Sequence, residues 1–282
     1  MFGHVVANAI DAEWDRLGTP EVFTVIDYGA GPGTLARSVL TSTPRCLPHL
    51  RYIAVERSAA QRALHPEEVL SLDELSPEVI GNGVEGVVIA NELLDNLTFT
   101  PCRLVDNELV PAEVVLDGSD LQTRFVSGFR PVGSETTHKS LVDQSEAVGW
   151  LADMLDWVLE RGRVVVIDYA RLASADVEVR TYASHGRAGD PLEQLGTKDI
   201  TVDVDLEQLQ HRVASAERVV TQAEWLGQHG IAALVEEGRQ AWEASAAVGD
   251  LAALKARSRI READALLAHD GLGGFLVAEW VV

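Results

Sequence analysis

Residues 21–28, EVFTVIDY, form a short apolar and β-branched run that stops on the glycine-rich turn Gly29-Ala30-Gly31-Pro32-Gly33. Residues 34–40 then take up the spacing of a helix start. Strand, glycine turn and helix in that order open a parallel α/β sheet, and they limit what the chain can fold into more than any other stretch.

The runs that follow agree with that frame. Residues 51–56 (RYIAVE) read as a second strand, and a helical stretch over 58–63 is interrupted at His65-Pro66. A third strand is weakly marked over 69–72, and residues 84–90 (VEGVVIA) form the continuous apolar run of a parallel strand covered on both faces. Residues 102–126 alternate, with turn signals at Asp106-Asn107 and Asp117-Gly118, which predicts inserted hairpins. A helix over 148–159 precedes a buried strand over 163–169, and residues 170–198 have no clean periodicity and read as a long loop. A short strand is expected over 200–205, a helix over 206–214 capped by Asp205, and a further helix start over 221–226. Two Ala- and Glu-rich helices, 232–246 and 251–268, lead to a closing strand over 275–281. The expected architecture is a Rossmann-like α/β fold, a mainly parallel sheet of about seven strands with the terminal one antiparallel. It is read as a single domain over residues 1–282 with insertions at 98–135 and 170–200.

Two cofactor classes use such a turn. A dinucleotide fingerprint GxGxxG needs a third glycine where this chain has Thr34, whereas the spacing of Gly29, Gly31 and Gly33 better matches the first motif of Rossmann-like methyltransferases. Missing side chains would let the backbone approach S-adenosylmethionine closely, so Gly29, Ala30, Gly31 and Gly33 are cofactor-binding candidates. Asp27, at the strand end, is placed to meet the cofactor's ammonium. Glu56, at the end of the second strand, can accept hydrogen bonds from both ribose hydroxyls, or simply stabilise the start of the following helix. The fourth strand runs into Asn91-Glu92-Leu93-Leu94-Asp95-Asn96-Leu97, where Asn91 is a further cofactor candidate. On one helical turn Glu92 and Asp95 would share a face and could grip a guanidinium, unless both are helix-start carboxylates.

Composition narrows the partners. With 23 basic and 44 acidic residues the formal charge is −21, and Lys and Arg never cluster, so nucleic acid is not an expected partner. A cationic substrate or basic partner is easier to accommodate, unless the acidity merely keeps the chain in solution. Only Cys46 and Cys102 occur, and the eight histidines form neither HxxxH nor HExxH, so neither a disulfide scaffold nor a metal site is expected. No basic segment followed by an apolar core opens the chain, and no apolar run approaches bilayer length. Export and membrane insertion are therefore not expected, and a reducing cytoplasm is. Nothing in the sequence sets an oligomeric state.

Several segments together resemble the MidA family. They are Phe2-Gly3 ahead of the helix bearing Trp14, GAGPGTLARSVL (29–40), VERS (55–58), NELLDNL (91–97), VIDYA (166–170), DPLEQLGTKDITVDVDLEQL (190–209), TQAEWLGQHGI (221–231) and GLGGFLV (271–277). The mitochondrial members of that family are complex I assembly factors with protein arginine methyltransferase activity. The resemblance implies a Rossmann-like methyltransferase fold, S-adenosylmethionine held at Gly29, Gly31 and Glu56, and transfer to an arginine of a partner protein. It also implies a substrate-side, catalytic role for Glu92 and Asp95. Family members usually carry a further segment before the Phe-Gly pair, so part of the cover over cofactor or substrate is expected to be missing here. The family also tends to have Ala-Leu-Pro where this chain has Asn96-Leu97-Thr98. The alternatives are a small-molecule N- or O-methyltransferase and an assembly chaperone that binds S-adenosylmethionine without turnover.

Overall fold

In the computed structural model, seven strands form the main sheet: β1 (Phe23–Tyr28), β2 (Leu50–Val55), β3 (Leu70–Leu72), β4 (Val84–Asn91), β5 (Leu159–Asp168), β6 (Arg218–Thr221) and β7 (Leu276–Val281). The structure describes residues 1–105, 108–125, 140–172, 177–183, 186–245 and 251–282. The order is β6-β7-β5-β4-β1-β2-β3. All neighbours pair in parallel except β7, which is antiparallel to both β5 and β6. A mainly parallel seven-stranded sheet with an antiparallel terminal strand is thus the fold.

The central strands are buried on both faces, which explains their uninterrupted apolar sequences. Phe23, Val25, Val87, Ile89, Val165, Ile167 and Val277 belong to one core cluster with Val5, Val6 and Ile10 of α1 (Phe2–Arg16). Trp225 and Leu226 of α3 (Gln222–Gln228) complete it, with α2 (Thr34–Thr41) contributing Ala36 and Val39. Ile26, Val88, Val164, Val166, Ala278 and Trp280, on alternate positions of the same strands, are equally buried. Helix α3 starts where a capping box closes its first turn, Thr221 accepting the Glu224 N–H and Glu224 accepting the Thr221 N–H. The order of strands reverses beside β1, whose chain continues to β2 on one side and which pairs with β4 on the other. The carboxyl ends of β1 and β4 therefore form the topological switch point where open α/β sheets take ligands.

The chain divides into two units. The first contains residues 1–93, 153–168 and 216–282, and hence the whole main sheet. The second contains residues 94–152 and 169–215. It holds a four-stranded antiparallel sheet in the order Asp120–Phe125, Glu108–Asp117, Thr100–Val105, Ser140–Asp143. The turn expected at Asp117-Gly118 joins two of those strands, whereas Asp106-Asn107 lies outside the described residues. The described residues of the segments 98–135 and 170–200 fall within this unit.

Residues 170–198 differ from the loop expected of them. Ala170–Arg171 pairs in parallel with Val204–Asp205, and Arg180–Ala183 is the centre of a three-stranded sheet with Gly186–Arg187 and Asp199–Thr201. Strands of two to four residues are too short to show an apolar period. Their order comes from cross-strand pairing and from Thr181, whose hydroxyl lies within hydrogen-bond distance of the Ala188 and Gly189 carbonyls. Asp205 does cap the helix Leu206–Arg212, accepting the Glu207 and Gln208 N–H groups. In the first unit, β5 begins at Leu159 rather than 163, because the π-turn Met154–Val158 ends the helical path early.

Candidate active site

The turn after β1 is built from three left-handed glycines: Gly29 at φ 77°, Gly31 at 53° and Gly33 at 75°. A side chain at any of them would strain the backbone. The Gly29 and Ala30 N–H groups both donate to the Val55 carbonyl, at 2.8 and 3.0 Å, so the buried start of the turn is fixed to the end of β2. A Cβ on Gly29 would sit 2.8 Å from Leu93 Cδ1, and one on Gly33 would press on His65 and Pro66. Over Gly31, only the Gln61 Oε1 comes within 4 Å of that position, at 3.1 Å. The middle glycine therefore offers bare backbone beneath a flexible amide.

Glu56 is brought directly to this turn. Its Oε2 accepts the Gly31 N–H at 3.0 Å and its Oε1 accepts the Ser58 N–H at 2.8 Å. The sequence held no pointer to His65, yet its Nε2 lies 2.8 Å from the Gly31 carbonyl and its Nδ1 2.8 Å from Ser71 Oγ. Since a carbonyl can only accept, Nε2 carries the proton and Nδ1 accepts from Ser71. Asp27 is buried instead of lying open at the strand end, and its Oδ2 accepts the hydroxyl of buried Tyr52 at 3.1 Å. Burial pushes its carboxyl up to about 7, with the Tyr52 hydrogen bond pulling the other way.

At the end of β4, Asn91 Nδ2 lies 3.5 Å from Glu92 Oε1. Glu92 has φ 52°, and its N–H donates to the Ile167 carbonyl at 2.8 Å. A left-handed residue cannot sit inside a right-handed turn, so the helical turn expected to carry both Glu92 and Asp95 starts only at Leu94, as the 3₁₀ turn Leu94–Asn96. A glutamate in this conformation is strained, a state that clusters at functional sites.

Asp95 belongs to the second unit and is buried there. Asn96 Nδ2 donates to its Oδ1 at 2.7 Å and the Thr201 hydroxyl to its Oδ2 at 3.0 Å. Asp95 lines a cavity of about 290 Å3 with Asn96, Tyr169, Arg180, Tyr182, Asp199 and Thr201. Tyr182 stands opposite Asp199, and Arg180 opposite Thr201, on paired antiparallel strands, which puts all four on one face. Arg180 is ion-paired with Asp203. Tyr169 and Asp199 lie in the segments VIDYA (166–170) and DPLEQLGTKDITVDVDLEQL (190–209) that carry the family resemblance, but no role for either follows from the sequence. The only signal for Tyr182 was its place in an unpatterned stretch too long to be idle. Among the described residues no group of His, Cys, Asp and Glu could hold a metal ion.

A switch-point glycine cradle under a strand-end carboxylate defines the class of a nucleoside-cofactor enzyme on a Rossmann-like methyltransferase fold. The chain belongs to the family described as "Putative S-adenosyl-L-methionine-dependent methyltransferase", whose model matches residues 5–224. Its cofactor is accordingly S-adenosylmethionine, and the bare backbone at Gly31 beside the Glu56 carboxylate fits that group. The chain is similar to "Protein arginine methyltransferase NDUFAF7 homolog, mitochondrial" of Drosophila melanogaster. The two are 24% identical over 75% of this chain and 57% of the relative. The chain thus spans little more than half the length of that relative. Among solved structures it resembles two from Burkholderia thailandensis, each 22% identical and covering 100% of this chain. One, a COG1565 superfamily protein, has a TM-score of 0.78 over 79% of its chain. The other, a member of the same superfamily bound to S-adenosyl-homocysteine, has 0.77 over 76%. The MidA resemblance and the methyltransferase fold are thereby established.

Proposed function

We propose that this chain is a protein arginine N-methyltransferase, using S-adenosylmethionine to modify an arginine presented by a partner protein. The observation that carries the reading is the chemistry of the cavity around Asp95: two carboxylates, Asp95 and Asp199, stand with two tyrosines in its lining. Carboxylates recognise a guanidinium by paired hydrogen bonds, and aromatic faces attract it electrostatically. The name of the Drosophila relative supports the same acceptor, as does the formal charge of −21.

When bound, S-adenosylmethionine supplies an electrophilic methyl group. Gly31 would let its methionine part lie against the backbone, in a turn shaped by Gly29, Ala30 and Gly33, with Asp27 and Asn91 near that part and Glu56 at the ribose. Asp95 would hold the guanidinium and draw its positive charge toward the nitrogens it binds, leaving another more nucleophilic, and Glu92, at the end of β4, is proposed for the substrate side as well. Alignment of this kind is worth roughly 7–11 kcal/mol of barrier. We place the reaction in the cytoplasm, where Cys46 and Cys102, both free and buried, stay reduced. No helix among the described residues is long and apolar enough to cross a membrane.

The test is transfer from methyl-labelled cofactor into lysate protein, followed by hydrolysis to amino acids. Label in methylarginine is expected. Label confined to small molecules would replace the reading with a metabolite methyltransferase, and cofactor binding without transfer would leave an assembly chaperone.

A further inference from the structure

The three glycines of the turn after β1 answer to different neighbours. Gly29 makes room for Leu93, and Gly33 for His65 and Pro66, whose Cδ2 and Cδ would lie 3.1 and 3.2 Å from a Cβ on it. Gly31 is the open one of the three, with the exposed Gln61 amide above it. Glycine has more backbone freedom to lose than any other residue, so the middle of such a turn needs a hold from outside. Gly31 has two. Glu56 Oε2 accepts its N–H at 3.0 Å, and His65 Nε2 donates to its carbonyl at 2.8 Å.

The His65 ring is itself fixed. Its backbone N–H donates to the Arg62 carbonyl at 3.0 Å, at the end of the short helix Ala59–Arg62, and Ser71 Oγ lies 2.8 Å from its Nδ1. Ser71 is the middle residue of β3, the last strand of the sheet on that side, and stands opposite Ala54 of β2. A hydroxyl that donates to Nδ1 leaves the ring proton on Nε2, the tautomer that the Gly31 carbonyl requires. A line of hydrogen bonds therefore runs from the sheet edge through one imidazole to the spot where the backbone is bare. Glu56 fixes the same residue from the end of β2, so neither hold depends on a bound ligand.

We propose that His65 is a positioning residue of the cofactor site, its Nε2–H holding the Gly31 carbonyl so that the turn is set for S-adenosylmethionine before the cofactor arrives. Binding to a turn already in place avoids the cost of ordering it. The proposal rests on the cofactor lying against Gly31.

S-adenosyl-homocysteine is titrated by calorimetry into the full chain and two variants. An asparagine amide reaches where Nδ1 lies and a glutamine amide where Nε2 lies, so His65→Asn keeps the Ser71 contact and loses Gly31, while His65→Gln does the reverse. His65→Asn should weaken binding about three- to ten-fold, as the loss of one neutral hydrogen bond implies, and His65→Gln should stay within about two-fold of wild type. Equal affinity in all three proteins would overturn the proposal. So would a loss as large in His65→Gln as in His65→Asn, because the ring would then pack rather than donate. The imidazole nitrogen chemical shifts of the ligand-free wild type need no variant: Nε2 is expected to carry the proton, and a bare Nε2 beside a protonated Nδ1 overturns the proposal even if His65→Asn does not fold. Gly31→Val separates His65 from the placement of the cofactor. Lost affinity there with none lost in His65→Asn overturns His65 alone, and full affinity in folded Gly31→Val removes the cofactor from the turn and His65 with it.

Discussion

The Glu56 carboxylate accepts the Gly31 backbone N–H at 3.0 Å, so one side chain ties the end of the second strand to the middle of the cofactor turn. Its second oxygen holds the Ser58 N–H at 2.8 Å, just before the short helix Ala59–Arg62. Removing it therefore unties the turn and deletes the group assigned to the ribose. Glu56→Ala is expected to weaken S-adenosyl-homocysteine by roughly 1.5–3 kcal/mol, the range for hydrogen bonds to a charged group. Calorimetry checks this, and unchanged affinity would remove Glu56 from the site.

Gly31 shows which part of the turn is for the ligand. Its φ of 53° is a conformation a β-branched residue resists, and the space above it holds no backbone. Gly31→Val should abolish cofactor binding while the chain still folds. Full affinity in a folded variant would place the cofactor elsewhere.

Asp27 gives the pH dependence. Its carboxyl is raised from 3.8 to about 7 by burial, so between those values the folded chain keeps a proton that the unfolded chain releases. Stability from this group is present below about pH 4 and lost as pH rises through about 7, by up to roughly 4 kcal/mol. Denaturant titrations from pH 4 to 8 should show that fall, and Asp27→Asn should flatten it. If Asp27 meets the cofactor's ammonium, binding near pH 6 should also release a proton, read from calorimetry in buffers of different ionisation enthalpy. A flat wild-type profile would contradict the burial argument.

Much of this was legible because the signals were local. β1 and β4 are contiguous apolar runs, the glycine spacing fixes the turn, and Glu56 follows directly on a strand end. The antiparallel β7 was readable as a final apolar run. Other features arise only from tertiary contact. His65 reaches Gly31 from 34 residues along the chain, Tyr52 meets Asp27 across neighbouring strands, and Tyr182 joins Asp199 through strands too short and polar to carry a period. Glu92 was misread locally, since spacing suggests a helical turn and cannot reveal a left-handed backbone.

Thr201 positions Asp95 with a single hydroxyl proton, its oxygen lying 3.0 Å from Asp95 Oδ2 and 3.1 Å from the Asp95 carbonyl. Thr201→Val keeps the shape and removes that donor. Turnover should fall about ten-fold or more, as a loss of roughly 1.4 kcal/mol implies, with the cofactor affinity unchanged. Thr201→Ser should restore most of the rate. Equal rates in all three proteins would show that Asp95 needs no such support.

Asp95→Asn bears most directly on the arginine acceptor. Turnover on labelled protein, S-adenosyl-homocysteine affinity and melting temperature are measured on one preparation. If Asp95 holds the guanidinium, turnover collapses while cofactor affinity stays close to wild type, and the melting temperature falls only by what the loss of one internal hydrogen bond, from Asn96 or Thr201, costs. Full turnover with a lowered melting temperature would contradict that role, and would leave Asp95 as a structural carboxylate held by Thr201 and Asn96.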